Sequence, residues 1–403
     1  MVKNIFFIHR FHFNQSYYDS DDFQYFKEKG YNVKYLDLVK MLKSSKLEDT
    51  CPPKLKEDVI YINTKSEFKN FLIEHKYNSL LLTCVGLQVN SAWFYRIISK
   101  TGMPYVFLDV NFFPKLNSRN KIKSLSTRIK RYFEKISPIY LALKLFKSFD
   151  YYYTRTILKP ALAVLHVKKT IRKRIIKICD DSTKFVRTNS KDWNTAISAT
   201  NESIKDDNYL VFIDQYIPYH PDFVSRGIDL KFTPEEYYAE LNSFLSEISR
   251  KTGLKVHVAA HPRRVGQRDY DFPVSYNITA SLVKYSKLVL AHYSTAVNFA
   301  AIHNKPLVFL TSDLFKRSYI GTNISDMAHT FSKEPFNISK GMENLDLDEL
   351  LAVDEDVYSK YIQENLAPAE SNSSSVGALV MDIIKSWSGL NQEPDKRKLK
   401  KAV

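Results

Sequence analysis

Cysteine is scarce in this 403-residue chain. Cys51, Cys84 and Cys179 are odd in number, far apart and never in a C-x-x-C pair, so neither a disulfide framework nor a zinc site is indicated and a reducing compartment is expected. Glycine (10) and proline (15) are few, which excludes a fibrous or loop-dominated chain. No apolar run approaches the roughly eighteen residues that span a bilayer, and MVKNIFFIHRFHF begins directly as a strand rather than as a signal sequence, so a secreted or transmembrane protein is not expected. A convincing DxD triad for a metal is missing, as is any RRM, KH or zinc-finger pattern. Neither a metal nor a nucleic acid is therefore expected as a partner.

What is present is a regular alternation of apolar strands and helices. With 44% hydrophobic residues the chain is long enough for two cores. Strands are expected at 3–9, 32–38, 57–61, 79–85 and 104–110, with helices at 21–29, 66–74 and 91–100 between them, and a returning strand at 183–190. A second series opens with NYLVFIDQYIPYHPD at 208. It continues through a helix at 234–251 capped by Thr233, a strand ending at His261, a strand near PVSYNI and a helix at 280–286. The run KLVLAHYSTAVNFAAIHNKPLVFLTSD (287–313) then reads as strand, turn, helix and strand. Alternation of this kind specifies α/β architecture with parallel, doubly wound sheets. The expected division is a Rossmann-like domain at 1–202 with a basic helical insertion at 115–180, and a second at 203–390 that begins with a hinge at SIKDD (203–207). A basic disordered tail follows at 391–403.

The net charge of +15 is concentrated. Between Lys115 and Lys177 eighteen Lys or Arg stand against only Glu134 and Asp150, a net of +16, so the rest of the chain is near neutral. Ile122, Leu125, Ile129, Phe133 and Ile136 recur there at helical spacing. PIYLALKLFKSFDYYY and PALAVLHVKKTIRKRIIKI follow, each begun by a proline, so basic amphipathic helices are expected. Such helices suit an anionic membrane surface, where each Lys or Arg contributes roughly 1 kcal/mol. Residues 115–178 are accordingly read as a membrane-surface segment and the protein as cytoplasmic, peripheral at the inner face of the cytoplasmic membrane. A solvated face of an ordinary insertion is the plainer alternative.

The chemistry gathers at two strand ends. GLKVHVAAHPRRVGQ (253–267) is a strand that Pro262 must stop, which leaves His261, a group that titrates near neutrality, at its carboxyl end with Arg263 and Arg264 beyond. In HYSTAV, Ser294 and Thr295 begin a helix whose unpaired N–H groups suit a phosphate, although the same residues serve as ordinary caps. Asp214 and Gln215 end another strand and face the ligand edge by the same rule.

His261-Pro262 followed by Ser294-Thr295 resembles the HP and SS/ST motifs of bacterial GT-B sialyltransferases and related enzymes that use CMP-activated nonulosonates or Kdo. The run HYSTAVNFAAIHNKPLVFLTSD is also similar to the DYSS-type motif of the CDP-glycerol glycerophosphotransferases of teichoic acid synthesis, with His292 where those usually carry Asp. The resemblance covers chiefly residues 207–313. It implies two Rossmann-like domains facing across a cleft, the first for the acceptor and the second for a nucleotide sugar. The implied activity is metal-independent and cofactor-free transfer of a sugar, from a CMP-activated donor, onto a bacterial surface glycan or glycolipid. His261 would hydrogen-bond or protonate the leaving phosphate. Pro262, Arg263, Ser294, Thr295, Asp214, Gln215 and His292 would surround donor and phosphate. A base is expected from the first domain, with Asp19, Asp21, Asp22 and Asp109 as candidates, Asp19 and Asp109 foremost, and His9 and His12 lining the acceptor side. The alternatives are a CDP-glycerol-type transferase, a non-catalytic membrane adaptor, and a sugar-nucleotide 2-epimerase, which should have more carboxylates than Asp269 and Asp271 supply.

Overall fold

In the computed structural model the described residues are 2–42, 51–110, 138–200, 208–220, 223, 230–264, 269–316, 318–343, 346–368 and 375–390. They divide into two compact units. Unit 1 holds those up to Val110, those between Ser126 and Asn189 and those from Pro368 onward, and unit 2 holds those of Ser190–Ala367.

Unit 1 carries seven strands: β1 (Asn4–Ile8), β2 (Asn32–Asp37), β3 (Val59–Tyr61), β4 (Ser79–Thr83), β5 (Tyr105–Asp109), β6 (Ala163–His166) and β7 (Lys184–Arg187). Unit 2 carries six: β8 (Tyr209–Ile213), β9 (Lys255–Ala259), β10 (Val274–Ser275), β11 (Leu288–Ala291), β12 (Leu307–Thr311) and β13 (Phe336–Asn337). The orders are β3-β2-β1-β4-β5-β6-β7 and β10-β9-β8-β11-β12-β13, and the pairings are parallel. Each sheet reverses direction of growth once, between β1 and β4 and between β8 and β11, so each has one switch point where ligands of such sheets bind. The runs SLLLT (β4) and YLVFI (β8) are buried throughout, as a sheet covered on both faces requires. Successive side chains alternate across a strand, so Phe7 joins Phe23 and Phe26 on one face of unit 1 while Phe6 joins Phe68 and Leu72 on the other.

Local signals set the helix ends. The Pro234–Thr252 helix starts at a Thr233–Glu236 capping box with proline in its first turn and stops at Gly253, whose φ of 69° suits a residue without Cβ.

Two expectations need correction. The stretch PALAVLHVKKTIRKRIIKI was read as a basic amphipathic helix, but Ala163–His166 forms β6, paired with β5 and β7 and buried along its length. A short apolar run fits a buried strand or a helix equally well by periodicity, and only Lys173–Ile176 beyond it is helical. Charge in this stretch therefore sits on a loop and a single turn. The second correction concerns residues 376–390, assigned by sequence to the second domain. The Val376–Leu390 helix packs in unit 1, with Val376, Val380, Ile383 and Ile384 in the Phe7–Phe23 cluster. The expected Pro138 helix is present as Pro138–Thr156, whereas Ile122–Ile136, the hinge at 203–207 and the tail at 391–403 lie outside the described residues. Among the described residues no helix is long and apolar enough to cross a membrane.

Asp22 holds the C-terminal helix by its first turn. Its Oδ2 accepts the N–H of Gly377 at 2.6 Å, serving as a cap supplied from 355 residues away. A Cβ on Gly377 would lie 3.0 Å from Asp22 Cβ and 2.6 Å from the Tyr25 ring, so the approach needs glycine. Asp22→Ala is expected to cost about 1 kcal/mol, the usual worth of a helix cap, read as a lower urea midpoint at unchanged slope. An unaltered midpoint would show that the cap contributes nothing.

Candidate functional site

The carboxyl edge of the unit 2 sheet is organised by Arg264. Its Nε donates to Asp214 Oδ2 at 2.6 Å, Nη1 to Asp269 Oδ2 at 2.7 Å and Nη2 to the Tyr238 hydroxyl at 2.5 Å. Tyr216, Tyr238 and Tyr270 lie around the guanidinium at 4.8, 5.5 and 4.9 Å. Asp214 is closed off in turn. Oδ1 accepts from Tyr216 N–H at 2.7 Å and Tyr270 O–H at 2.9 Å, and Oδ2 accepts the His261 N–H at 3.3 Å besides Arg264. Asp214, expected at the ligand, is thus a buried anchor for the His-Pro-Arg-Arg loop. Arg264 is its partner, while Pro262 and Arg263 are exposed.

His261 is presented by that anchor. Its Nδ1 accepts the Arg263 N–H at 3.1 Å, and its ring lies beside Tyr216 at 6.1 Å and His220 at 5.1 Å. Burial pushes the imidazole down to about 4, with His220, Arg263 and Arg264 adding to the effect and Asp214 opposing it. The expected titration near neutrality is therefore replaced by a neutral ring at pH 7. Because Nδ1 accepts, the proton is assigned to Nε2, which makes that edge a hydrogen-bond donor.

At the end of β11, His292 is internal. Nδ1 donates to the Leu310 carbonyl at 2.7 Å, and Nε2 accepts from the Tyr237 hydroxyl at 2.9 Å. Burial pushes it down to about 4 against the Leu310 carbonyl and Asp214, so both nitrogens are committed and none is left for a ligand. Gln215 Oε1 accepts the Tyr293 N–H at 3.0 Å, bridging the ends of β8 and β11 at the switch point. Ser294 Oγ turns inward to the Ala296 N–H at 3.2 Å. The helix begins only at Val297 and is six residues long, so Ser294 and Thr295 lie in the turn before it. Among the described residues their own N–H groups have no protein acceptor.

The first-domain candidates separate clearly in unit 1. Asp19 is exposed on the Gln15–Ser20 helix and accepts from the Gln15 side chain at 2.7 Å, a contact one turn back along the same helix. Asp109 ends β5 with Arg172 Nη1 3.5 Å away. Burial raises its carboxyl despite Arg172, Arg174, Lys168 and His166. At the β1–β4 switch point the structure gathers His9, His12 and Asp21, named from sequence, with Cys84 and Asp37, which sequence reasoning missed. There His9 meets Asp21 at 2.6 Å and Cys84 at 3.1 Å, while His12 meets Asp37 at 2.7 Å. Cys84 had been weighed only for disulfides and zinc, whereas the strand-end rule applied to SLLLTCV picks it out. Among the described residues no three His, Cys, Asp or Glu gather as metal ligands.

No protein-family model matches the chain, and no curated protein matches it in sequence. Its fold is shared. Similar solved structures include a variant of the wall teichoic acid polymerase TagF (TM-score 0.51, 10% identity, 97% of this chain and 90% of that one). Others are the spinosyn forosaminyltransferase SpnP (0.48, 10%, 95% and 100%) and the UDP-GlcNAc 2-epimerase of Methanocaldococcus jannaschii (0.46, 11%, 95% and 99%). At such identities the likeness to TagF establishes fold alone: two parallel-sheet α/β units of the GT-B class.

The buried His292 gives a pH dependence of definite sign. His292 stays neutral to about pH 4 in the folded state, whereas an unfolded histidine takes up its proton near 6.5. Between these values the unfolded chain binds more protons, so stability falls as pH is lowered through the window. The loss is about 1.4 kcal/mol per pH unit for each such histidine. Urea unfolding from pH 7 to 4.5 should show this slope, and His292→Gln should make it shallower by about one histidine's share. An identical slope in the variant would place the His292 titration elsewhere.

Proposed function

We propose that the chain is a transferase that moves a sugar from a CMP-activated donor onto a bacterial surface glycan or glycolipid, holding the donor phosphate at the carboxyl edge of β9 and β11. What carries this assignment is the neutral His261, whose Nε2–H is left as a donor once Nδ1 has accepted the Arg263 N–H. The Arg263 side chain is exposed beside it. The N–H groups of Ser294 and Thr295 stand on the same sheet edge, one strand beyond β8. As the bond from sugar carbon to phosphate oxygen breaks, charge develops on that oxygen. Donors already oriented toward it stabilise the departing phosphate without reorganisation. A neutral imidazole supports the departure by hydrogen bonding, and the approach of an anion opposes the effect of the neighbouring arginines. The buried Asp214–Arg264 pair keeps His261 in place. A CDP-activated polyol phosphate is the second donor class, favoured by the HYST-to-TSD run (292–313).

Cytidine nucleotides should raise the melting temperature more than UMP, GMP or AMP do, by linkage. His261→Ala should lower turnover about a hundredfold at unchanged stability, the range of a lost oxyanion donor. Stabilisation by uridine nucleotides alone would overturn the cytidine donor, and near-normal turnover of the variant would remove His261 from the chemistry.

The acceptor is placed, by the same proposal, at an anionic membrane surface on the cytoplasmic side. Leu145, Phe146, Phe149 and Tyr152 of the Pro138–Thr156 helix are 64, 72, 71 and 64% exposed, an apolar stripe at helical spacing. The opposite side of the helix is anchored by the Arg96–Asp150 ion pair and by Thr154, which donates to the Ala92 carbonyl. Exposed cations accompany the stripe: Lys147 and Arg155 elsewhere on the helix, and Lys173, Arg174 and Lys177 in the segment joined to it by Lys177 and the Tyr151 hydroxyl at 3.0 Å. Apolar burial and charge attraction are the two signals that stable peripheral binding needs. Sedimentation with anionic vesicles but not neutral ones is expected, weakened by salt and lost in the double variant Phe146→Ser, Phe149→Ser. Equal sedimentation of wild type and variant would return the stripe to an ordinary solvated face.

A further inference from the structure

His9, Asp21 and Cys84 form a chain of three groups at the switch point of unit 1. His9 follows β1 and Cys84 follows the adjacent β4, so the sheet register itself brings them together. Asp21 comes from the turn after the Gln15–Ser20 helix. The His9 Nε2 to Asp21 Oδ2 distance is 2.6 Å, and Nδ1 lies 3.1 Å from Cys84 Sγ. His9 and Asp21 are 2 and 1% exposed, whereas Cys84 is partly exposed. Tyr17 and Tyr35 stack on the imidazole at 4.3 and 5.8 Å and fix its plane. A carboxylate that fixes the far nitrogen of an imidazole, with a thiol on the near one, is the arrangement that generates a thiolate. Nothing in the proposed transfer uses the sulfur.

We propose that Cys84 is a thiolate paired with the His9 imidazolium and that it is a site of reversible oxidation by peroxides, independent of the transferase assignment. The sulfur attacks one peroxide oxygen and the O–O bond breaks. The sulfur is oxidised by two electrons to sulfenic acid, and the departing hydroxide takes a proton from His9 and leaves as water. A thiol reductant returns the group to its starting state.

The electrostatics agree with the geometry. Burial alone would lower the His9 pKa, but Asp21 and Cys84 together outweigh it and hold the ring up at about 10. Among the described residues Asp37, Arg10, Tyr35 and Tyr95 also lie around the pair, and the positive charge of Arg10 favours an anionic sulfur. Asp37 is engaged by His12, Arg10 Nη2 donates to the Gly86 carbonyl at 3.3 Å, and burial pushes the Tyr35 and Tyr95 hydroxyls well up. Cys179 provides an internal contrast, since burial and Asp180 push its thiol up to about 11.

The test is alkylation of the full chain by iodoacetamide across pH 5 to 9, with each cysteine followed by mass spectrometry. An ordinary thiol is about 1% ionised two units below its pKa of about 8.5, and the lower basicity of a paired thiolate takes back part of that advantage. Cys84 should therefore react about tenfold faster at pH 6.5 in wild type than in His9→Gln or Asp21→Asn, and its rate should level off below pH 7. In both variants the rate should climb through about pH 8.5 like that of a free thiol. Circular dichroism identifies a variant that has unfolded, and the wild-type profile alone then decides. A wild-type rate that rises through pH 8.5, or a Cys84 that is not modified while the chain is folded, overturns the proposal. Hydrogen peroxide followed by a sulfenic-acid trap should label Cys84 and leave Cys179 unlabelled, and labelling in the reverse order would likewise overturn it.

Discussion

Everything at the carboxyl edge of unit 2 depends on one buried ion pair, Arg264 with Asp214. Taking two charges out of water is costly, and a pair of this kind holds only when the remaining donors and lone pairs are also satisfied. Here they are. Asp269 and the Tyr238 hydroxyl take the other guanidinium nitrogens, Tyr216 and Tyr270 donate to the carboxylate, and three aromatic faces surround the cation. The pairing with Asp214 outweighs the desolvation and keeps Arg264 charged. What the pair achieves is position. Asp214 ends β8 and Arg264 lies in the loop after β9, so their bond fixes the path of the chain through His261 and Pro262.

The two sheets repeat one topology, the strand order in which the third, second and first strands precede the fourth and fifth. Placing chemistry at a switch point follows from that order, because the loops leaving two neighbouring strands run in opposite directions and open a crevice. In unit 2 the crevice is framed by Gln215 and Tyr293, and in unit 1 by His9 and Cys84. Neither pair is close in sequence. Parallel register brings each together.

Much of this was legible from sequence, and the failures have physical causes. The alternation of apolar runs indicated both sheets, and Thr233 before Pro234 marked a helix start without tertiary knowledge. Pro262 placed His261 at a strand end. Misreading PALAVLH as helix arose because four buried residues carry no period that tells strand from helix, and the lysines after it lent the segment an amphipathic look. The home of Val376–Leu390 could not be read locally, since its cap is a carboxylate from near the other end of the chain. Arg263 and Arg264 look equivalent in sequence, yet one is exposed and the other is sealed among tyrosines that come from three separate segments.

The histidines show why residue type alone does not define a site. His261 and His292 are held at about 4 while His9 is held at about 10, although burial pushes all three in the same direction. The difference lies in what each ring faces. Asp21 and Cys84 give His9 two groups that stabilise positive charge, whereas His261 faces His220 and two arginines, and Asp214, its one acidic neighbour, is already taken by Arg264. His292 meets a carbonyl and a tyrosine hydroxyl, enough to satisfy both nitrogens of a neutral ring without stabilising a charged one. At pH 7 the edge of unit 2 therefore presents a neutral donor, suited to an anion that brings its own charge. The edge of unit 1 holds a cation paired with the Asp21 carboxylate. The proposed transfer, which develops negative charge on a ligand, would draw on the first, and the proposed thiol oxidation, which starts from a protein anion, on the second.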